Sequence, residues 1–241
     1  MNKVDDPPHC VVTGGSSGIG AAVVGDLKER GCAVSVFDLE VGRASGVFYR
    51  SLDITDEVAI GEAYDAAIAR SGPVRHLVAS AGVRGEYVPA LDLDIARTRR
   101  VLDVNVVGTL IAARELVRRL EGEPGSIVAV SSTTAYGGWA KQADYGTSKA
   151  AVSSLVQHLA VEWAPLDVRV NAIAPGHTLT PMVRSMVEEG YDLAQVEQRT
   201  PLGRLATPEQ MSAEVVHLLL EAGHVTGQCL AVDGGWTVVG K

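Results

Sequence analysis

Residues 144–152 read "DYGTSKAAV" and set Tyr145 four positions before Lys149. On a helix, positions i and i+4 share a face, so a phenol and an ammonium can meet at one point. A phenol with an ordinary pKa near ~10 does little acid–base work at neutral pH, and bringing it into range takes roughly three units, about 4 kcal/mol. An ammonium ~4–5 Å away, at an effective dielectric near ~20, supplies about 3–4 kcal/mol. The pair is thus sized for proton transfer. Taken alone, such a pair is usually just part of a solvated helix face.

A second group of residues lies near the start. "CVVTGGSSGIGAAVV" (10–24) reads as a strand, a glycine-rich turn and a helix, with Gly14, Gly18 and Gly20 spaced GxxxGxG around Ser16, Ser17 and Ile19. Glycines permit a tight turn and close approach of a pyrophosphate, which free N–H groups and the dipole of a helix N-terminus favour. The next strand-like run ends in Asp38, 24 residues beyond Gly14. An acidic side chain there can accept hydrogen bonds from an adenosine ribose and would repel a 2′-phosphate. "GGSSG" holds no Lys or Arg, so NAD is expected rather than NADP, with Arg43 the nearby cation that could reverse the preference. Asp53 and its neighbour Ile54, at the end of a third run, are candidates for the adenine side.

The elements that must position these residues alternate in type. Strands are expected at 9–13, 33–38, 47–53, 76–81, 126–132, 168–174 and 228–233. Helices are expected at Ile19–Arg30, Asp56–Arg70, Arg97–Leu120, Asp144–Trp163, Pro181–Glu189 and Pro208–Glu221. Alternation of this kind argues for βαβ units and a parallel sheet, here an α/β doubly wound sheet of about seven strands in one domain over residues 1–241. In such a sheet ligands sit beyond the carboxyl ends of the strands. The 97–120 helix carries an apolar arc too wide for one buried stripe, and the helix after Tyr145 is similar. Their outer sides either meet another subunit in a homo-oligomer or form a second layer of the same domain.

The bulk properties narrow the partners. A net charge of −8 with no Lys/Arg cluster argues against nucleic acid. No apolar run reaches the ~20 residues of a membrane span, and "MNKVDDPPHCVV" lacks the apolar region of a signal peptide. A cytoplasmic protein is expected. The three cysteines and six histidines are scattered without ligand spacing, so no metal site is expected.

These residues resemble a known family. "TGGSSGIG", "SAG" (80–82), "NVVG" (105–108), "SS" (131–132), "YGTSK" (145–149), "NAIAPG" (171–176) and "VTGQCLAVDGG" (225–235) stand in the order and spacing of the short-chain dehydrogenase/reductases. The resemblance spans nearly the whole chain. It implies a Rossmann-type domain, a nicotinamide cofactor and often a tetramer packed through the two helices above. Carried over by position, Tyr145 and Lys149 become the catalytic tyrosine and lysine, and Ser132 rather than Ser131 the serine. Asn105 becomes the asparagine that holds a water beside Lys149. Ala81 and Gly82 fall on the cofactor side, and Pro175, Gly176, Thr178 and Thr180 on the nicotinamide side. Two positions depart from the family pattern: Ala79-Ser80 where Asn-Asn is usual, and His76 where an aspartate is frequent.

The implied reaction interconverts a secondary alcohol and a ketone, with Tyr145 moving the proton and Ser132 stabilising charge on the same oxygen. The substrate pocket is expected after the strand ends, under an amphipathic lid at about 177–200. Tyr136, Trp139, His177 and Met182 would give it partly apolar walls. Arg84 and Arg184 are either contacts for an anionic group or solvated charges. The competing readings are an NADPH-dependent ketoreductase of the 3-oxoacyl type, and a nucleotide-sensing protein without catalysis.

Overall fold

Strands and helices alternate through all the described residues, 8–239, of the computed structural model. Seven strands form one sheet: β1 (His9–Thr13), β2 (Ala33–Asp38), β3 (Phe48–Ser51), β4 (Val74–Ala79), β5 (Gly125–Val130), β6 (Val168–Pro175) and β7 (Cys229–Val232). Their spatial order is β3-β2-β1-β4-β5-β6-β7, and every pairing is parallel. The order reverses between β1 and β4, where Thr13 is in register with Phe37 on one side and Ala79 on the other. At that switch the connections leave in opposite directions and open a crevice.

Among the described residues there are eight α-helices: α1 (Gly18–Glu29), α2 (Glu57–Ser71), α3 (Ile95–Leu102), α4 (Thr109–Arg118), α5 (Ala143–Trp163), α6 (Pro181–Glu188), α7 (Leu193–Arg199) and α8 (Pro208–Val216). Successive strand residues face opposite ways. Val11 therefore joins Tyr64, Ile111, Leu116 and Val156 beneath α2, α4 and α5. Its neighbours Cys10 and Val12 join Val23, Leu27 and Val215 beneath α1 and α8. Each fully buried Val or Leu adds about 1.5–3 kcal/mol, so both faces hold the strand ends still. Local signals set the helix starts: the Asp56 carboxylate accepts from the Val58 and Ala59 N–H groups at 3.0 Å, and Thr207 with Gln210 forms a capping box on α8.

Three expectations change. The helix expected over Arg97–Leu120 is interrupted at Asp103–Gly108 by a π-helical segment containing Asn105. Side-chain periodicity cannot register it, because the Asn105 amide reaches out of the segment to Val83 and Ser148. The 177–200 segment holds two helices, α6 and α7, parted at Gly190 with φ +94°. The helix expected over Pro208–Glu221 also turns π-helical, at His217–Glu221. Val107 and Val161 are exposed on the outer helices, 44% and 79% respectively. Among the described residues no helix is long and apolar enough to cross a membrane, and no group of side chains could hold a metal ion.

Candidate active site

A cavity of about 910 Å³ opens along the carboxyl ends of the strands. Its walls run from Asp38 and Leu39, past Gly14, Ser17, Gly18 and Ile19, then past Ala81 and Gly82, to Ser132, Tyr145 and Lys149. Asp53, Ile54, Pro175, Gly176, Thr178, Thr180, Trp139, His177 and Met182 also line it. Ser16, Gly20 and Asn105 stand behind the wall. Tyr136 is turned away from it, its hydroxyl donating to the Cys229 carbonyl at 2.6 Å. Long-range pairing with β7 decides that direction, so Tyr136 drops out as a substrate contact.

The glycine turn is built for backbone proximity. Gly14 has φ +69°, and a Cβ there would lie 2.6 Å from the Ala81 backbone. A Cβ on Gly20 would lie 2.1 Å from the Gly14 carbonyl oxygen. Gly18, with φ +53°, opens α1, whose first N–H groups have no intrahelical partner. The Ser16 N–H donates to the Asp38 carboxylate at 3.0 Å and its hydroxyl to the Glu40 carbonyl at 2.6 Å. Ser16 thus braces the turn against β2. Asp38 keeps its carboxylate on the cavity wall, while Arg43 lines a smaller neighbouring cavity with Ser16 and Glu40. Asp53 is engaged locally, accepting from the Thr55 N–H at 2.9 Å and from the Thr55 hydroxyl and Arg100, each at 2.7 Å, and these bonds, the Thr55 N–H first, hold its carboxyl below the usual range. A side-chain-free cradle at a helix N-terminus, a carboxylate at the end of β2 and a long continuous cavity together fit a dinucleotide.

At the other end, α5 begins with a buried acid. The Asp144 carboxylate accepts from the Tyr145 N–H at 2.7 Å and from the Glu86 N–H at 2.9 Å. It ties the start of the helix to the 84–87 loop. Asn105 donates to the Val83 carbonyl at 3.0 Å and to Ser148 Oγ at 2.9 Å, and accepts from the Val83 N–H at 2.8 Å. Ser148 in turn donates to the Tyr145 carbonyl at 2.7 Å. The Asn105 side chain thus braces the loop at Val83 against α5, with one lone pair of its amide oxygen uncommitted. Ser131 donates to the Lys149 carbonyl at 2.9 Å. Ser132 caps the following short helical turn, its hydroxyl accepting from the Thr134 N–H at 3.2 Å, and its side chain pulls the Tyr145 pKa downward.

In the ligand-free protein the electrostatics are dominated by burial. Lys149 Nζ lies 5.7 Å from the Tyr145 ring centroid and donates to the Val130 carbonyl at 2.8 Å. Yet the phenol is not brought toward neutral pH. Burial pushes Tyr145 up to about 12, against a smaller downward pull from Ser132. Burial also lowers Lys149 from its ordinary 10.5 to about 8. Both groups share one poorly solvated space, and each moves toward its neutral form.

This has a thermodynamic consequence. An unfolded lysine keeps its proton up to about pH 10.5, the folded one only to about 8. Between those values the unfolded chain binds more protons, so stability rises with pH. Below pH 8 the ligand-free protein carries the full cost of a buried ammonium. Lys149→Met should therefore stabilise it at pH 7 by about 1–3 kcal/mol, an advantage that shrinks as pH climbs toward 10. Thermal melts at pH 7 and pH 10 check this; equal shifts at both would contradict it.

Beyond Tyr145 the wall is aromatic. Trp139 stacks on Trp236 at 5.2 Å between centroids, and His177 lies 5.1 Å from Trp236 and 5.7 Å from Tyr191. His177 Nε2 pairs with the Tyr191 hydroxyl at 2.9 Å; burial, helped by Arg199, lowers its pKa to about 4. The Arg84 guanidinium is engaged by Glu189, and Arg184 is outside the lining. Sequence reading missed Asp144, Tyr191, Arg199 and Trp236. Asp144 could have been suspected as an acid in the first turn of a helix; the other three meet only through the fold.

Comparison with known proteins agrees with this architecture. A family model described as "Enoyl-(Acyl carrier protein) reductase" matches residues 14–237. Cis-4-hydroxycyclohexanecarboxylate dehydrogenase of Sinomonas cyclohexanicum is 38% identical over 241 residues, covering 95% of this chain and 96% of the relative. Galactitol 2-dehydrogenase of Rhizobium johnstonii is 34% identical, with 96% of each chain covered. The ligand-free structure of aldohexose dehydrogenase from Thermoplasma acidophilum superposes with a TM-score of 0.91 at 28% identity, covering 97% of this chain and 95% of that one. Matched nearly end to end in sequence and in fold, the protein belongs to the short-chain dehydrogenase/reductases, a family of nicotinamide-dependent oxidoreductases.

Proposed function

We propose that the protein interconverts a secondary alcohol and a ketone with NAD as cofactor, Tyr145 moving the proton. The observation that carries this reading is the meeting of Tyr145, Ser132 and Lys149 at one end of a single cavity whose other end is the glycine cradle and Asp38. Gly14, Ser17, Gly18 and Ile19 would hold the pyrophosphate, Asp38 the adenosine ribose, and Ile54, Ala81 and Gly82 the middle of the cofactor. Pro175, Gly176, Thr178 and Thr180 would frame its nicotinamide. Hydride transfer is the chemistry a bound nicotinamide supplies.

The chain's own residues do the rest. In reduction, Tyr145 donates its proton to the developing alkoxide, and burial already keeps that proton in place. In oxidation it accepts the alcohol proton, which draws on positive charge added when the site is loaded. Ser132 hydrogen-bonds the same oxygen and stabilises its charge. Lys149 supplies positive charge beneath the phenol. Asn105 acts through Val83 and Ser148 by holding the α5 start against the 83–87 loop. Trp139 and His177 give the cavity an aromatic wall for a ring to pack on, and the Sinomonas relative is named for a hydroxyl on a cyclohexane ring. The same proposal includes a homo-oligomer packed through the outer faces that leave Val107 and Val161 exposed.

The test is a panel of secondary alcohols and ketones with NAD(H) and NADP(H), read by nicotinamide absorbance. Turnover favouring NAD is expected, and no turnover of any member would sink the reading. Asp38→Ala should lower kcat/KM for NAD roughly 10- to 100-fold, the worth of hydrogen bonds to a charged group, and should spare NADP. A wild-type preference for NADP would favour the ketoreductase alternative.

A further inference from the structure

Four cationic side chains of Lys or Arg line the cavity, and three are engaged. Arg84 donates to both carboxylate oxygens of Glu189. Arg100 pairs with Asp53 at 2.7 Å, and Lys149 donates to the Val130 carbonyl at 2.8 Å. Arg199, in the last turn of α7, has neither a carboxylate nor a hydrogen-bond partner among the described residues. Its guanidinium lies over the Trp236 ring instead, 3.7 Å from the centroid.

Stacking on an aromatic face holds a guanidinium flat and leaves its N–H fork free along the edge. That fork matches a carboxylate through two parallel hydrogen bonds. Beneath it, Trp236, Trp139 and His177 pack on one another as an aromatic wall of the cavity, a surface suited to a hydrophobic ring. The acids of the wall do not compete. Asp53, Glu86 and Glu189 are paired with arginines, and Asp38 accepts from Ser16 at the far end. Asp192 caps the opposite end of α7, about 10 Å away along a helix of this length. With His177 held neutral, Arg199 is the positive charge on this aromatic wall.

We propose that Arg199 anchors a carboxylate on the substrate, so that the substrate class is a hydroxylated, or oxo, carbocyclic acid. The ring would lie against the aromatic wall and the alcohol carbon at Tyr145. This rests on the alcohol–ketone reading of the same site.

Binding separates the two claims. Cyclohexanecarboxylate, which has no hydroxyl to oxidise, is titrated into the protein with and without saturating NAD, against cyclohexylmethanol as a neutral match. Calorimetry and tryptophan fluorescence read the binding. The carboxylate should bind at least about tenfold more tightly than the alcohol. Arg199→Met should weaken carboxylate binding roughly 10- to 100-fold and leave cyclohexylmethanol and NAD binding unchanged; Arg199→Lys should lose less. Equal binding of acid and alcohol, or carboxylate binding indifferent to Arg199→Met, overturns the anchor. Turnover of 4-hydroxycyclohexanecarboxylate and of cyclohexanol is measured separately. Arg199-dependent binding with no turnover of either refutes the oxidoreductase reading and supports the anchor. Turnover of both with no preference for the acid refutes the anchor and supports the reading.

Discussion

Tyr145→Phe is expected to lower turnover about 10²–10⁴-fold, the usual worth of a positioned general acid or base, while cofactor binding stays intact. Phenylalanine keeps the ring under Lys149 and removes only the hydroxyl that Ser132 contacts. The loss should appear in kcat and kcat/KM alike, because the group is needed in the transition state. Direction matters too. A phenol pushed up to about 12 in the ligand-free protein serves reduction across the neutral range. Oxidation requires the deprotonated form, so its kcat/KM should rise with pH. Turnover by absorbance and NAD binding by fluorescence quenching check both parts, and a Tyr145→Phe enzyme working at near-normal rate would remove Tyr145 from the chemistry.

The second large effect concerns the cradle. Gly20→Ala should destabilise the protein by about 1–3 kcal/mol, the usual cost of overpacking, because the new methyl would meet backbone, 2.1 Å from the Gly14 carbonyl oxygen and 3.1 Å from Gly15 Cα. No side-chain rotation can relieve that contact, so the turn itself must move and NAD should bind more weakly. Gly25 lies in the same helix with nothing within 4 Å of its would-be Cβ. Gly25→Ala should therefore stabilise by about 0.5–1 kcal/mol. Opposite shifts in thermal melting for two identical substitutions five residues apart would locate the constraint in the cradle; equal shifts would remove it.

Much of the frame was legible because it is written in local patterns. The alternating strands, the glycine turn and the Tyr145–Lys149 spacing each depend on residues within one turn of one another. Asp38 was legible from its place at a strand end. The electrostatics were not, because the size of a desolvation effect depends on what the fold packs around Tyr145 and Lys149. Nor was the role of Asn105: its partners, Val83 and Ser148, come from the loop after β4 and from α5. Tyr136 failed as a pocket residue, and Trp236 and Arg199 went unnoticed, for one reason. Each is aimed by a contact between segments far apart in the chain.

The π-helical segment at Asp103–Gly108 also carries a message about chain length. A wider turn accommodates a residue that an α-helix would not, and each residue advances an α-helix by about 100°. Deleting one residue there and restoring the regular helix would swing α3 by that angle about its axis relative to α4. Val101 on one side and Ile111 and Leu116 on the other, all buried, could then no longer face inward together. The segment works as a spacer that sets the angular phase between two buried stripes. Insertions and deletions should be rejected there and absorbed instead beyond the end of α4, at the exposed Glu121–Gly122 turn, where the direction of the chain is reset.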